Sequence, residues 1–282
     1  MAAAIPKSQL RETWESAAPG WAKWETAFSS GLTEATDALL DMAAVKEGMR
    51  VLDVACGAGN QTIQAARRVG PNGKIVASDI SATMLDHVRR SAARESLNNI
   101  EILECAADDL DHRLGPFDAA ICRLGLMLFP SPRGALEAIH RVLRDGARFA
   151  ALVFTTPANN PFFSESLSIL RRHAGKPAPQ PGSPGLFALG GDGVLEAVMR
   201  ESGLVDVKVR IIRATLRLPS VSDTLQMMQE AFGAYRAVVA DLDDARRRAA
   251  WAEVGECLKQ FEVNGGFKTD FEVVVGSGAK AA

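Results

Sequence analysis

Residues 51–62 read VLDVACGAGNQT: an apolar run that meets an acid, breaks at two glycines and continues into a helix-like segment. A short apolar run bounded by turn residues reads as a buried strand, and the glycines after it allow backbone to come close to a ligand. Outward from that stretch the pattern repeats. RVLDVAC (50–56), GKIVASDI (73–80), IEILECAA (100–107), FDAAICRL (117–124) and ARFAALVF (147–154) read as strands. Between them, NQTIQAARRVG (60–70) closes on Gly70 and Pro71, and SATMLDHVRRSAARESL (81–97) opens on Ser81 as N-cap. SPRGALEAIHRVLRDG (131–146) places Ser131 before a helix and Gly146 after it. Strands alternating with amphipathic helices imply crossover units, hence a doubly wound α/β domain with a mostly parallel sheet covered on both faces.

The rhythm changes past about residue 155. TTPANNPFF (155–163) and GKPAPQPGSPG (175–185) read as loops. GDGVLEAVMRESGLVDVKVRIIRATLRL (191–218) reads as a helix followed by a strand, residues 220–262 as a helical insertion, and FKTDFEVVVGSG (267–278) as a last strand.

The chain of 282 residues is 47% hydrophobic and 23% charged, enough to bury a full core. A net charge of −2 gives no general pull toward nucleic acid or anionic lipid, so nucleic-acid partners are not expected. The N-terminal MAAAIPKSQLRETWES lacks the apolar core of a signal peptide, and no stretch reaches the roughly 20 apolar residues of a membrane span. Cys56, Cys105, Cys122 and Cys257 have no metal-ligand spacing and read as reduced thiols. No metal is expected, and the cytoplasm is the expected compartment. Composition leaves the oligomeric state open.

What the opening turn holds follows by elimination. A dinucleotide turn wants G-x-G-x-x-G, and Gly57 and Gly59 supply two glycines, but the third position is Thr62. A phosphate-binding P-loop needs a Lys followed by Ser or Thr, which is absent, and Asp53 opposes a pyrophosphate. A zwitterionic amino-acid tail suits glycine N–H groups and a helix N-terminus better, with Asp53 set against an ammonium. About 20 residues past Gly59, Asp79 ends the second strand where an acid accepts from both ribose hydroxyls. A ligand with adenosine at one end and an amino acid at the other satisfies both halves, and S-adenosylmethionine (SAM) is such a molecule.

On these residues the chain resembles the class I SAM-dependent methyltransferases, in particular the small-molecule branch similar to the ubiquinone/menaquinone-biosynthesis methyltransferases. The likeness covers about residues 45–155: VLDVACGAG resembles the family's glycine turn, VASDISATML its ribose segment, AADDL its adenine contact, and FDAAICRLGLMLF its fourth strand. It implies a Rossmann-like, mostly parallel seven-stranded sheet. It also implies an N-terminal helical lid over residues 1–45, a SAM-binding core over 46–155, and a completed sheet over 156–282 with a substrate-capping insertion. Asp53, Ala55, Gly57, Ala58 and Gly59 would surround the methionine moiety, and Asp79 would take the ribose. Ile80 and Met84 would lie near adenine, Ala106, Ala107 and Asp108 at its amino edge, and Arg123 would face the cofactor. Two positions depart from the pattern. Ala55 replaces a glycine, which asks for ordinary backbone angles there, and Ala106 replaces a residue that is often polar.

The implied activity is in-line methyl transfer to a small, hydrophobic or aromatic molecule, which needs positioning and a dry pocket more than a base. Candidate bases are His112, His173 and Tyr235; His87 and His140 read as surface positions on amphipathic helices. Trp14, Trp21 and Trp24 before the first strand, with Met127, Met228, Phe232 and Tyr235, are candidates for the acceptor pocket. The run CRLGLM stands where amino-group methyltransferases of bases carry an Asn-Pro-Pro-Tyr-like segment. Three alternatives stay open at this level: a nucleotide-cofactor oxidoreductase, a SAM-binding regulator, and an enzyme of methylation-triggered cyclisation.

Overall fold

The computed structural model describes residues 6–180 and 182–282; residues 1–5 of the N-terminal stretch and Pro181 lie outside them. Five strands run parallel at the centre: β1 (Arg50–Val54), β2 (Lys74–Asp79), β3 (Ile100–Glu104), β4 (Phe117–Arg123) and β5 (Leu143–Phe154). β6 (Leu204–Leu218) and β8 (Gly266–Lys280) complete the sheet, with β8 antiparallel to both neighbours. The order is β3-β2-β1-β4-β5-β8-β6, and the two-residue β7 (Glu262–Val263) adds a stub to β8. The strand order reverses between β1 and β4, where open α/β sheets form their ligand crevice.

The helices follow from local chemistry. α3 (Asn60–Val69) starts at the glycine turn and packs on β2. α4 (Ala82–Arg94) is capped by the Ser81 side chain, which accepts from the Met84 N–H, and packs on β2 and β3. α5 (Pro132–Val142) is capped by Ser131, and α7 (Val194–Glu201) packs on β6, β8 and α5. Helices thus cover both faces of the sheet, and residues of β1, β4 and β5 such as Leu52, Ile121 and Phe149 are fully buried. Ahead of β1 lie α1 (Lys7–Ser30) and α2 (Thr33–Met42). The stretch between β6 and β7 folds as α8 (Val221–Ala231), α9 (Gly233–Val238) and α10 (Asp244–Leu258). No helix among the described residues is long and apolar enough to cross a membrane.

Two local expectations are corrected. Gly146 does not close α5: the helix stops at Val142 and β5 begins at Leu143, which pairs with Phe117. Gly146 instead has φ +75° inside a bulge of β5, where the partner register jumps from Phe117 to Ala119. TTPANNPFF is not loop throughout, because Pro161 occupies the first turn of α6 (Pro161–His173), a place where its missing N–H costs nothing. Phe162 and Phe163 then enter the core.

Candidate cofactor and active site

The turn after β1 is built from unusual backbone. Ala55, Gly57 and Gly59 all have positive φ, at 52°, 57° and 100°. The expectation of ordinary angles at Ala55 is therefore wrong: the residue takes the left-handed conformation that favours glycine, and alanine bears a strain of about 1 kcal/mol there. Leu124, at the adjacent end of β4, also has a positive φ of 61°. Gly125 lets the two ends pass, since a Cβ there would lie 2.7 Å from Ala55 Cβ. Strained residues on two neighbouring strand ends mark a site held open by the packing around it.

The two acids do different work. Asp53 is fully buried (0% exposed) and turns inward. Its carboxylate accepts from Thr62 Oγ1 at 2.6 Å and Gln61 Nε2 at 3.3 Å, and burial pushes its pKa up to about 7. Thr62, the residue standing at the third glycine position, is thus the partner that makes a buried carboxylate tolerable. Asp79 turns the other way, into the crevice, and is 8% exposed. One of its oxygens accepts the Gly57 N–H and the other the Ser81 N–H, both at 2.9 Å, and burial raises its pKa to about 6. A carboxylate has about four acceptor positions, so Asp79 keeps two for a diol.

The crevice is a cavity of about 420 Å³, within the range of small-molecule sites. Asp79, Ile80 and Met84 line one end with Ala106, Ala107 and Asp108. Ala55, Gly57 and Arg123 line the middle. The rest of the wall is largely apolar: Met127, Phe232, Tyr235, Phe28, Phe154 and Phe163 contribute, while Trp14 and Trp21 of the N-terminal helix pack with Met84 and Trp21 stands over Gly57. These rings pack on one another, as in the Phe28–Phe232 and Phe154–Phe163 pairs with centroids 5.9 and 4.5 Å apart.

α1 lines this crevice through Lys7, Leu10, Trp14, Trp21 and Phe28. Trp14, Ala18, Trp21, Glu25 and Phe28 recur at alternating spacings of four and three, so they share one helix face. Polar contacts fasten that helix along the strand ends. Lys7 pairs with Asp109 at 2.6 Å and Asp108 at 3.0 Å, Arg11 with Glu104, and Glu15 accepts from the Thr83 hydroxyl. Glu25 accepts the first N–H of α3, from Asn60, at 2.8 Å, and burial raises its pKa. On the outer side Gly20 abuts α8, where a Cβ would lie 2.2 Å from the Glu230 carbonyl oxygen.

Several candidates from sequence fall outside the cavity wall. Asp53 faces the core, Ala58 packs beneath Ala18 and Met84, and Gly59 abuts Val88. Trp24 donates its indole N–H to Glu230 at 2.6 Å on the outside of α1, and Met228 is fully buried in the core. His112 is exposed beside Asp111, and His173 bonds Glu253 at 2.7 Å between α6 and α10. Tyr235 lines the cavity, but its hydroxyl donates to the Phe163 carbonyl at 2.8 Å and burial raises its pKa well above the usual value. None of the three candidate bases therefore presents a free proton acceptor to the cavity. Sequence reasoning missed Glu25, Phe28 and Phe163; an acid inside an apolar stripe at helical spacing was the available signal for the first.

Residues 45–169 match the family model described as methyltransferase domain. The ubiquinone/menaquinone biosynthesis C-methyltransferase of Hahella chejuensis is 35% identical over 131 residues, covering 46% of this chain and 52% of that protein. Its counterpart in Azotobacter vinelandii is 30% identical over 161 residues, 55% of this chain and 64% of that protein. The chain thus spans between about half and two thirds of the length of these relatives. Among solved structures, the [4+2]-cyclase SpnF superposes with a TM-score of 0.62 at 15% identity over 100% of this chain and 99% of that one, a likeness of fold.

Proposed function

We propose, from the premise that residues 45–169 constitute a methyltransferase domain, that the protein transfers a methyl group from SAM to a small, largely apolar molecule. Asp79 carries the reading: a buried carboxylate with two unused acceptor positions faces the crevice where the strand order reverses, one turn from a strained glycine bend. That is the place for a ribose diol, with the apolar end of the cavity left for the acceptor.

SAM, when bound, supplies an electrophilic methyl group on a sulfonium. The chain's part is positioning. Asp79 holds the ribose, Ile80 and Met84 flank the adenine, and Ala106, Ala107 and Asp108 form its edge, with Ala55 and Gly57 beside the amino-acid end. Trp14, Trp21, Phe28 and Phe163 exclude water and present aromatic faces, which favour a cation and a flat apolar partner. With Tyr235 engaged and no histidine among the described residues of the wall, the acceptor reacts through a nucleophile that needs no base from a tyrosine or histidine of the cavity. Carbon is the atom proposed, by the names of the relatives. The segment ahead of β1 acts as lid, and the α8–α10 insertion caps the acceptor.

The test is incubation with SAM and a panel of apolar phenols and quinols, read by mass spectrometry. A product heavier by one methylene, with S-adenosylhomocysteine (SAH) formed in step, supports the reading. An isomer of unchanged mass would favour ring closure, and no SAH-forming reaction with any apolar acceptor would count against it.

A further inference from the structure

Arg123 is a cation buried without an anion. It is 7% exposed and lines the cavity, and burial lowers its pKa. Its guanidinium makes three hydrogen bonds, all to neutral oxygens: Thr36 Oγ1 at 3.2 Å, Asn60 Oδ1 at 3.1 Å and Ser29 Oγ at 3.2 Å. Among the described residues no carboxylate lies within 4.0 Å of it; Glu25 and Asp53 attract it only through space. Of five N–H donors two are left without an acceptor. An unpaired buried charge is among the costliest features a fold can keep, so a retained one points to an anion that arrives with a ligand.

A second free donor lines the same cavity, at the Gly57 bend. The Trp21 indole Nε1 lies 3.2 Å from where a Cβ of Gly57 would sit and has no acceptor among the described residues. The start of α3 adds its positive end, because Asn60 is the helix's first residue. Glu25 already takes the Asn60 N–H, so the helix terminus alone does not serve the ligand, and the guanidinium must. The Gly57 N–H is already taken by Asp79.

We propose that the Arg123 guanidinium, with the Trp21 indole N–H, binds the carboxylate of the cofactor's amino-acid end. This rests on the SAM reading above and reassigns to β4 and the lid helix a task expected of the glycine turn. Because Trp21 belongs to α1, the same carboxylate ties lid closure to cofactor occupancy.

Calorimetry with three nucleosides tests it: SAH, its decarboxylated analogue, and 5′-methylthioadenosine, which lacks the amino-acid end. The wild type is expected to prefer SAH over the decarboxylated analogue by about ten- to a hundredfold, the scale of hydrogen bonds to charged groups. R123Q erases that preference and leaves 5′-methylthioadenosine affinity within about twofold, while R123K keeps part of the preference. Equal binding of SAH and the decarboxylated analogue by the wild type overturns the assignment, and this comparison needs no variant to fold. Equal losses of SAH and 5′-methylthioadenosine in R123Q overturn it in favour of a structural arginine. Unchanged SAH binding with a raised acceptor KM in R123Q overturns it in favour of an acceptor site. Failure of the wild type to bind any of the three removes the SAM reading itself.

Discussion

Lowering the pH from 7 to 5 should weaken SAH binding about tenfold, and Asp79 should be the reason. Its carboxyl has a pKa of about 6 in the free protein because burial disfavours the charge more than the backbone N–H groups of Ser81, Gly57 and Ile80 favour it. The ribose hydroxyls donate to the ionised form. At pH 7 about nine tenths of the protein is ionised there and at pH 5 about one tenth, which gives the tenfold change. Binding at pH 6 should release protons, visible as a dependence of the calorimetric heat on buffer ionisation enthalpy. Stability carries the converse sign. A carboxylate raised from 3.8 contributes stability that is present below the unfolded value and lost as pH rises through about 6. Bound ligand restores part of that loss. Asp79→Asn removes the titration while opposing an amide NH₂ to one backbone N–H, so its melting temperature is measured beside its affinity. A Kd that stays flat between pH 5 and 7 in the wild type, or an equal slope in Asp79→Asn, would refute the reasoning.

Three further changes probe the supports. Gly20→Ala places a Cβ 2.2 Å from the Glu230 carbonyl oxygen; overpacking of about 1–3 kcal/mol outweighs the helix gain of about 1 kcal/mol. Hydrogen exchange should rise in α1 and α8, and a higher melting temperature would contradict this. Thr62→Val strips the hydroxyl from Asp53, with a loss of about 1–3 kcal/mol in urea titrations. That loss should grow as pH rises through about 7, where Asp53 ionises; a pH-independent change would oppose it. Tyr235→Phe should cost about 1 kcal/mol through the lost bond to Phe163 and leave the pH profile of kcat unaltered, whereas a lost basic limb would restore tyrosine as a base.

The alternation of strands and helices was legible from residue 50 to 154 because buried parallel strands and amphipathic helices differ in period and composition. What hid was direction. Asp53 lies in a strand dry on both sides, so neighbours such as Leu52 and Val54 give no clue to which face its carboxylate meets. Asp79, at a strand end, is easier to orient, and it lines the cavity. Ala55 was misread because a left-handed alanine is held by tertiary packing against Gly125, which no local pattern records. The arrangement of Tyr235 and His173 depends on partners 72 and 80 residues away. Pro161 hid a helix, since proline after a Pro/Asn-rich run reads as loop until the first-turn position is seen.

Amide hydrogen exchange across the β1 and β2 strand ends, with and without ligand, bears most directly on whether one sulfonium nucleoside spans them. SAH should slow exchange at residues 55–60 and at 79–81 together, and NAD should leave both untouched. Protection by NAD or NADP with none from SAH would contradict the account.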